Sequence, residues 1–155
     1  MAEIAEGDVA PGFELPGSGG STIRLADHLG KAVVISVYPQ DGSASGTAEA
    51  ADFSRLADRF AEAGAVVIGV SPDSAKSHDK FAAKHGLRVA LAADESRETI
   101  EAYGLWVEKS MYGRAYMGVE RATFLVGPDG RVARVWRAVR VKGHAEEVLA
   151  AAAAI

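Results

Sequence analysis

Two apolar runs, AVVISVY over 32–38 and AVVIGV over 65–70, stand out from the mixed pattern of the chain. Neither alternates, so each reads as a strand covered on both faces. Between them Ala50, Phe53, Leu56, Ala57 and Phe60 recur at helical spacing and predict a helix over about 47–64. SPDSAKSHDKFAAKHGL predicts a second helix, with Ser74 as its N-cap and Gly86 as its stop. RVALAAD reads as a third short strand and ESRETIEAYGL as a helix with acids in its early turns. WVEKSMYGRAYMGVE shows no clean period and is expected to be a long loop. RATFLVGPDGRVARVWRA reads as an antiparallel hairpin about Pro128-Asp129-Gly130, and KGHAEEVLAAAAA as a closing helix. Upstream, FELPGSGGSTIRL reads as two extended pieces about a glycine turn, and ADHLGK as a helical turn ended by Gly30. Strand–helix–strand units imply right-handed crossovers and parallel strands, and the late hairpin adds an antiparallel part. The expectation is one α/β domain over 1–155, a mixed central sheet with helices on both faces.

Composition narrows the chemistry. The 17 basic and 21 acidic residues leave a net charge of −4, which gives no footprint for nucleic acid or an anionic membrane. No apolar run approaches a membrane span, and MAEIAEGDVAPGF has acids where a secretion signal needs bases, so the cytoplasm is the expected compartment. Cysteine is absent, which excludes disulfides, thiolate metal sites and thiol chemistry.

Among candidate residues, His78 and His85 share a helix stripe with Phe81 and Ala82 but lie seven apart, with no acid at ligand spacing. A packing role is expected for them, and no metal site. Ser43, Ser45 and Thr47 stand where a helix begins after a buried strand. No G-x-S-x-G elbow surrounds them and no base is assigned to them, so N-capping is the expected role. The glycines match neither a dinucleotide fingerprint nor a P-loop, and no cofactor is expected. Arg121 enters an apolar strand and needs an anionic partner, either an internal acid such as Glu49 or a ligand. Lys109, Arg114, Arg134, Arg137, Arg140 and Lys142 give the last third a basic tint, read as a solvated face.

Across nearly its whole length the chain resembles the peroxiredoxins of the bacterioferritin-comigratory-protein, or Q, type. GDVAPGFELPG is similar to the family's opening, VVISVYP and TAEAADF to its central strand and active-site helix, and IGVSPDSAKSHDKFAAKHGL to its second strand–helix unit. The stretch from Lys109 through Leu149 is similar to its C-terminal third. The resemblance implies a thioredoxin-like fold with an N-terminal extension, hydroperoxide reduction, and thioredoxin as reductant. The family's site pattern is proline, three residues, threonine or serine, two residues, cysteine. Here Pro39, Ser43 and Gly46 fill those places, and Arg121 and Glu49 match the family's arginine and helix glutamate. Where some members carry a resolving cysteine, five residues on, this chain has Ala51. Gln40 and Ala44 also depart from the lysine and proline usual there.

In the family a thiolate attacks the O–O bond, and the sulfenic acid formed is resolved by a second thiol and reduced by thioredoxin. Glycine has no side chain, and a serine hydroxyl has no such redox chemistry, so a thiol-free scaffold without peroxidase activity, not reduced by thioredoxin, is expected. Two other readings stand beside it. Ser43, Thr47, Glu49 and Arg121 could hold a small anion or oxygen-rich ligand. Alternatively, the chain could associate with itself or with an active peroxiredoxin through Trp106, Met111, Tyr112, Tyr116 and Met117, although packing of these side chains on the core is the expectation.

Overall fold

In a computed structural model of the chain, residues 3–155 are described. Nine strands, five α-helices and two short 3-10 helices are found there. A two-stranded antiparallel ribbon, β1 (Glu14–Pro16) and β2 (Thr22–Arg24), forms the N-terminal extension. The central sheet is built from β3 (Ala32–Val37), β4 (Ala65–Ser71), β5 (Ala90–Ala93), β8 (Ala122–Val126) and β9 (Val132–Trp136), in the order β5-β4-β3-β8-β9. β3, β4 and β5 are parallel, whereas β8 and β9 run antiparallel to their neighbours, the mixture expected from the element order.

β3 is at the centre and all six of its residues are buried, which explains its unbroken apolar sequence. Its side chains alternate between two cores. Val33, Ile35 and Val37 pack with Ile100, Tyr103 and Leu105 from α4 (Glu98–Ala102) and the turn after it. Ala32 and Val34 face the other way, onto α1 (Ala44–Arg55), α2 (Ala57–Glu62) and α5 (His144–Ala153) through Phe53, Phe60 and Val148. α3 (Ala75–His85) adds Phe81 to Ala50 and Leu91, and it ends, as its sequence predicts, on Gly86 in the left-handed conformation.

Two expectations are corrected. The helix after β3 starts at Ala44 rather than about Thr47, because Ser43 caps it, and it is interrupted at Leu56. The segment expected to be a loop is a hairpin of β6 (Trp106–Met111) and β7 (Arg114–Val119). Its turn, Tyr112-Gly113, has φ of 53° and 77°, the two consecutive left-handed residues of a tight hairpin. A tyrosine at the first position hides that signal, and exposure of much of the ribbon removes the alternation. Core packing, expected for Trp106, Met111, Tyr112, Tyr116 and Met117, is found for Trp106 alone of the five: Tyr112 is 97% exposed and Met111, Tyr116 and Met117 stand open as well, because the ribbon projects beyond the sheet's core.

Candidate functional site

The chemistry-bearing residues gather where β3 gives way to α1. β3 is followed by buried Tyr38, Pro39–Ser43 form a short loop, and α1 starts from that loop at Ala44. The Ser43 hydroxyl accepts a 3.0 Å bond from the Gly46 amide and lies 3.3 Å from the Gln40 carbonyl, to which it donates. Capping, the role expected for the hydroxyls here, is therefore carried by Ser43. Gly46 is buried beneath the loop, whereas Ala51, on another side of the helix, is exposed. A Cβ on Gly46 would lie 2.8 Å from the Ser43 hydroxyl oxygen and 2.9 Å from the Gln40 carbonyl oxygen. The place where a side chain would begin is thus already taken by the loop.

One turn along, Glu49 is only 3% exposed. Its Oε1 accepts from the Ser36 hydroxyl at 3.0 Å and from Arg121 Nη1 at 3.1 Å. Arg121 thus finds the internal acid named as one of its two possible partners. The β3 alternation explains the meeting, since Ser36 shares the face of Val34, under α1. Glu49 Oε2 has no hydrogen-bond partner among the described residues, and Glu49 lines a small apolar cavity with Tyr38, Gly46, Phe53 and Leu91. Burial pushes the Glu49 carboxyl above its ordinary range, outweighing the opposing pull of Arg121 and Ser36.

A second polar cluster holds the loop from the other side. Asp41 Oδ1 accepts from the Tyr38 hydroxyl at 2.6 Å, and its Oδ2 accepts from the Ser77 hydroxyl at 2.8 Å and from His78 Nδ1 at 2.7 Å. The Asp41 amide donates to Asp73 at 2.7 Å, and Asp73 also accepts from the Ser71 hydroxyl. His78 is fully buried, and its Nε2 lies 3.0 Å from the Ala92 carbonyl, an acceptor only. The two ring nitrogens thus face the Asp41 carboxylate on one side and the Ala92 carbonyl on the other. Burial would raise the Asp41 carboxyl, but the bonds from His78, Tyr38 and Ser77 outweigh it and hold it below the usual range. Burial, and then the bond to Asp41, raises the Tyr38 phenol well above its usual value.

His78 therefore has an acidic partner after all, supplied by a loop 37 residues away. Spacing within the helix could not reveal it. The sequence pattern does not single out Asp41, and it marks Tyr38 only as the end of a strand. The basic tint of the last third is partly internal: Arg137 makes a two-bond contact to Glu120 at 2.6 and 3.0 Å, and Arg134 stacks over Trp136. Thr47, offered as a ligand residue, is half-buried in the first turn, and its amide bonds the Ser43 carbonyl as the start of the helix.

A mixed β5-β4-β3-β8-β9 sheet, with a capped helix springing from its central strand toward an arginine on β8's threshold, is a thioredoxin-like fold. Comparison with known proteins agrees: residues 6–135 match the AhpC/TSA family, and the chain belongs to that family. Within it the similarity is to the Bcp, or Q-type, peroxiredoxins. The chain is 45% identical to "Peroxiredoxin Bcp" of Bacillus subtilis over 146 residues, covering 94% of this chain and 93% of the relative. It is 45% identical over 141 residues to the protein of that name from Xanthomonas campestris, covering 90% and 88%. A mutant of Xylella fastidiosa PrxQ superposes with a TM-score of 0.92 at 36% identity, covering 99% of this chain and 98% of that one. A Xanthomonas campestris peroxiredoxin Q structure gives 0.88 at 44% identity, covering 92% and 90%. No helix among the described residues is long and apolar enough to cross a membrane.

Proposed function

We propose that this chain is a peroxiredoxin scaffold without thiol peroxidase activity of its own. The observation that carries the reading is Gly46, a buried glycine at the start of α1 in a chain that contains no cysteine. The resemblance assigns the peroxide-attacking sulfur to that position and the resolving sulfur, in some members, to Ala51. Glycine and alanine offer no electron pair to an O–O bond, and no sulfenic acid can form to be resolved. A similar Xanthomonas campestris protein is described by its alkyl peroxide reduction activity. Transfer of that activity to this chain lacks the reacting atom. Thioredoxin, the reductant implied by the resemblance, has no disulfide here to attack.

The ligand-binding alternative receives less support. The Gly46 amide, which an anion would use, is occupied by Ser43, and Arg121 is engaged by Glu49. The deciding assay couples NADPH oxidation to thioredoxin reductase, thioredoxin and either hydrogen peroxide or tert-butyl hydroperoxide. The expected rate equals that of the mixture without this protein. Turnover that scales with its concentration would overturn the proposal.

A further inference from the structure

Away from Gly46, the segment that leads from β9 into α5 folds around a cavity of about 360 Å³, a size at the lower end for a small-ligand pocket. Its walls include Trp136, Arg140, Lys142, His144 and Glu147. His144 is only 6% exposed. Its ring meets Phe53 and Trp136 edge to face, and its Nε2 lies 2.8 Å from the Thr123 hydroxyl. The other ring nitrogen, Nδ1, has no hydrogen-bond partner among the described residues, so it is the polar atom that this buried side chain has left to offer the cavity. The Trp136 indole nitrogen is also buried without a partner among those residues. Leaving such groups unpaired is costly, and two of them in the walls of one cavity point to an occupant.

The charges of the walls decide what that occupant is. Arg137 is engaged by Glu120 and Glu3, but Arg140 and Lys142 form no ion pair among the described residues. Glu147 is the opposing charge, and it leaves the balance positive. The positive end of the α5 dipole lies at the same place, and Gly143, with φ of 74°, brings no side chain to cap it. Indole, guanidinium and ammonium groups only donate, and an imidazole nitrogen can. We propose that this cavity binds a small oxyanion, a free phosphate or the phosphate group of a monoester, between His144 Nδ1, Arg140 and Lys142. Occupation selects the tautomer with hydrogen on Nδ1, in which Nε2 accepts from the Thr123 hydroxyl. A phosphate dianion matches two cations, whereas a carboxylate brings half the charge to the same donors and binds more weakly.

The test is an NMR titration of the isotope-labelled chain at fixed ionic strength with inorganic phosphate and phenyl phosphate, and with acetate and sodium chloride as controls. Phosphate should give saturable shifts at the Gly143, His144 and Ala145 amides and at the Trp136 indole N–H, while the Trp106 indole N–H stays in place. Shifts that do not saturate, or that sodium chloride reproduces, would overturn the proposal. Either phosphate arm supports the site: tighter binding of phenyl phosphate assigns it to an ester whose body lies on Trp136, and equal affinity assigns it to the free anion. Arg140→Gln and Lys142→Gln should each weaken phosphate binding about two- to fivefold, and Glu147→Gln should tighten it by about the same factor. His144→Gln keeps a polar group toward Thr123 and removes the one facing the cavity, so it should weaken binding about tenfold. If that variant does not fold, the three exposed ones decide, and an affinity unchanged in all three rejects the site. None of these measurements uses peroxide, so peroxide turnover would remove the function proposed above and leave the anion site intact.

Discussion

Replacing His78 with leucine removes the imidazole that joins α3, the site loop and β5. The ring is fully buried, and the Asp41 side chain it faces is 6% exposed, so solvent offers little compensation. The substitution deletes the 2.7 Å bond to the carboxylate, about 1.5–3 kcal/mol for a bond to a charged group. It also deletes the bond at the Ala92 carbonyl, about 1 kcal/mol more. Leucine has a volume near that of histidine, so a cavity contributes little. The total is about 3 kcal/mol. In a domain of this size that loss lowers Tm by roughly 6–12 °C, readable by calorimetry or by circular dichroism on heating. The pH dependence supplies a second check. Asp41 is held below its ordinary 3.8, so its contribution is present above about pH 3.8 and is lost as pH falls through the folded-state value. In His78→Leu that acid-side loss should shrink, because the group that depresses the carboxyl is gone. A stability change under about 1 kcal/mol, with the acid limb unaltered, would refute a buried His78–Asp41 pair.

Arg121→Met should cost about 3 kcal/mol in urea unfolding, since it strips the one cation from a Glu49 carboxylate whose second oxygen is already unpartnered. Glu49→Gln should behave differently. The Glu49 carboxyl is held above its ordinary 4.5, so its contribution is greatest at low pH and is lost as pH rises through the folded-state value. Relative to wild type, the glutamine variant should therefore gain stability as pH rises above about 4.5, and a difference that is flat with pH would contradict this. Ser43→Ala should lose about 1 kcal/mol by removing the cap on the Gly46 amide, seen as a lower urea midpoint with an unchanged slope.

Much of the architecture was legible along the chain. AVVISV and AVVIGV could be covered on both faces only in a layered α/β domain, and they became the two adjacent parallel strands β3 and β4. Gly86 ended its helix because a left-handed residue does so at little steric penalty. The absence of cysteine, a fact of composition alone, excludes thiol chemistry whatever the fold. The β6–β7 hairpin escaped because largely exposed strands carry little hydrophobic alternation, and because Tyr112 stands where a turn usually has asparagine or glycine.

Tertiary structure decided the rest, and the reason is distance along the chain. The partner of His78 lies 37 residues before it, and that of Glu49 lies 72 residues after it. Periodicity reports which face of an element is buried, but not which polar group of another element meets a given side chain there. The sequence determined that position 46 has no side chain. Only the fold determined what surrounds this position: the Gln40 carbonyl and the Ser43 hydroxyl lie within 3 Å of where a Cβ would stand.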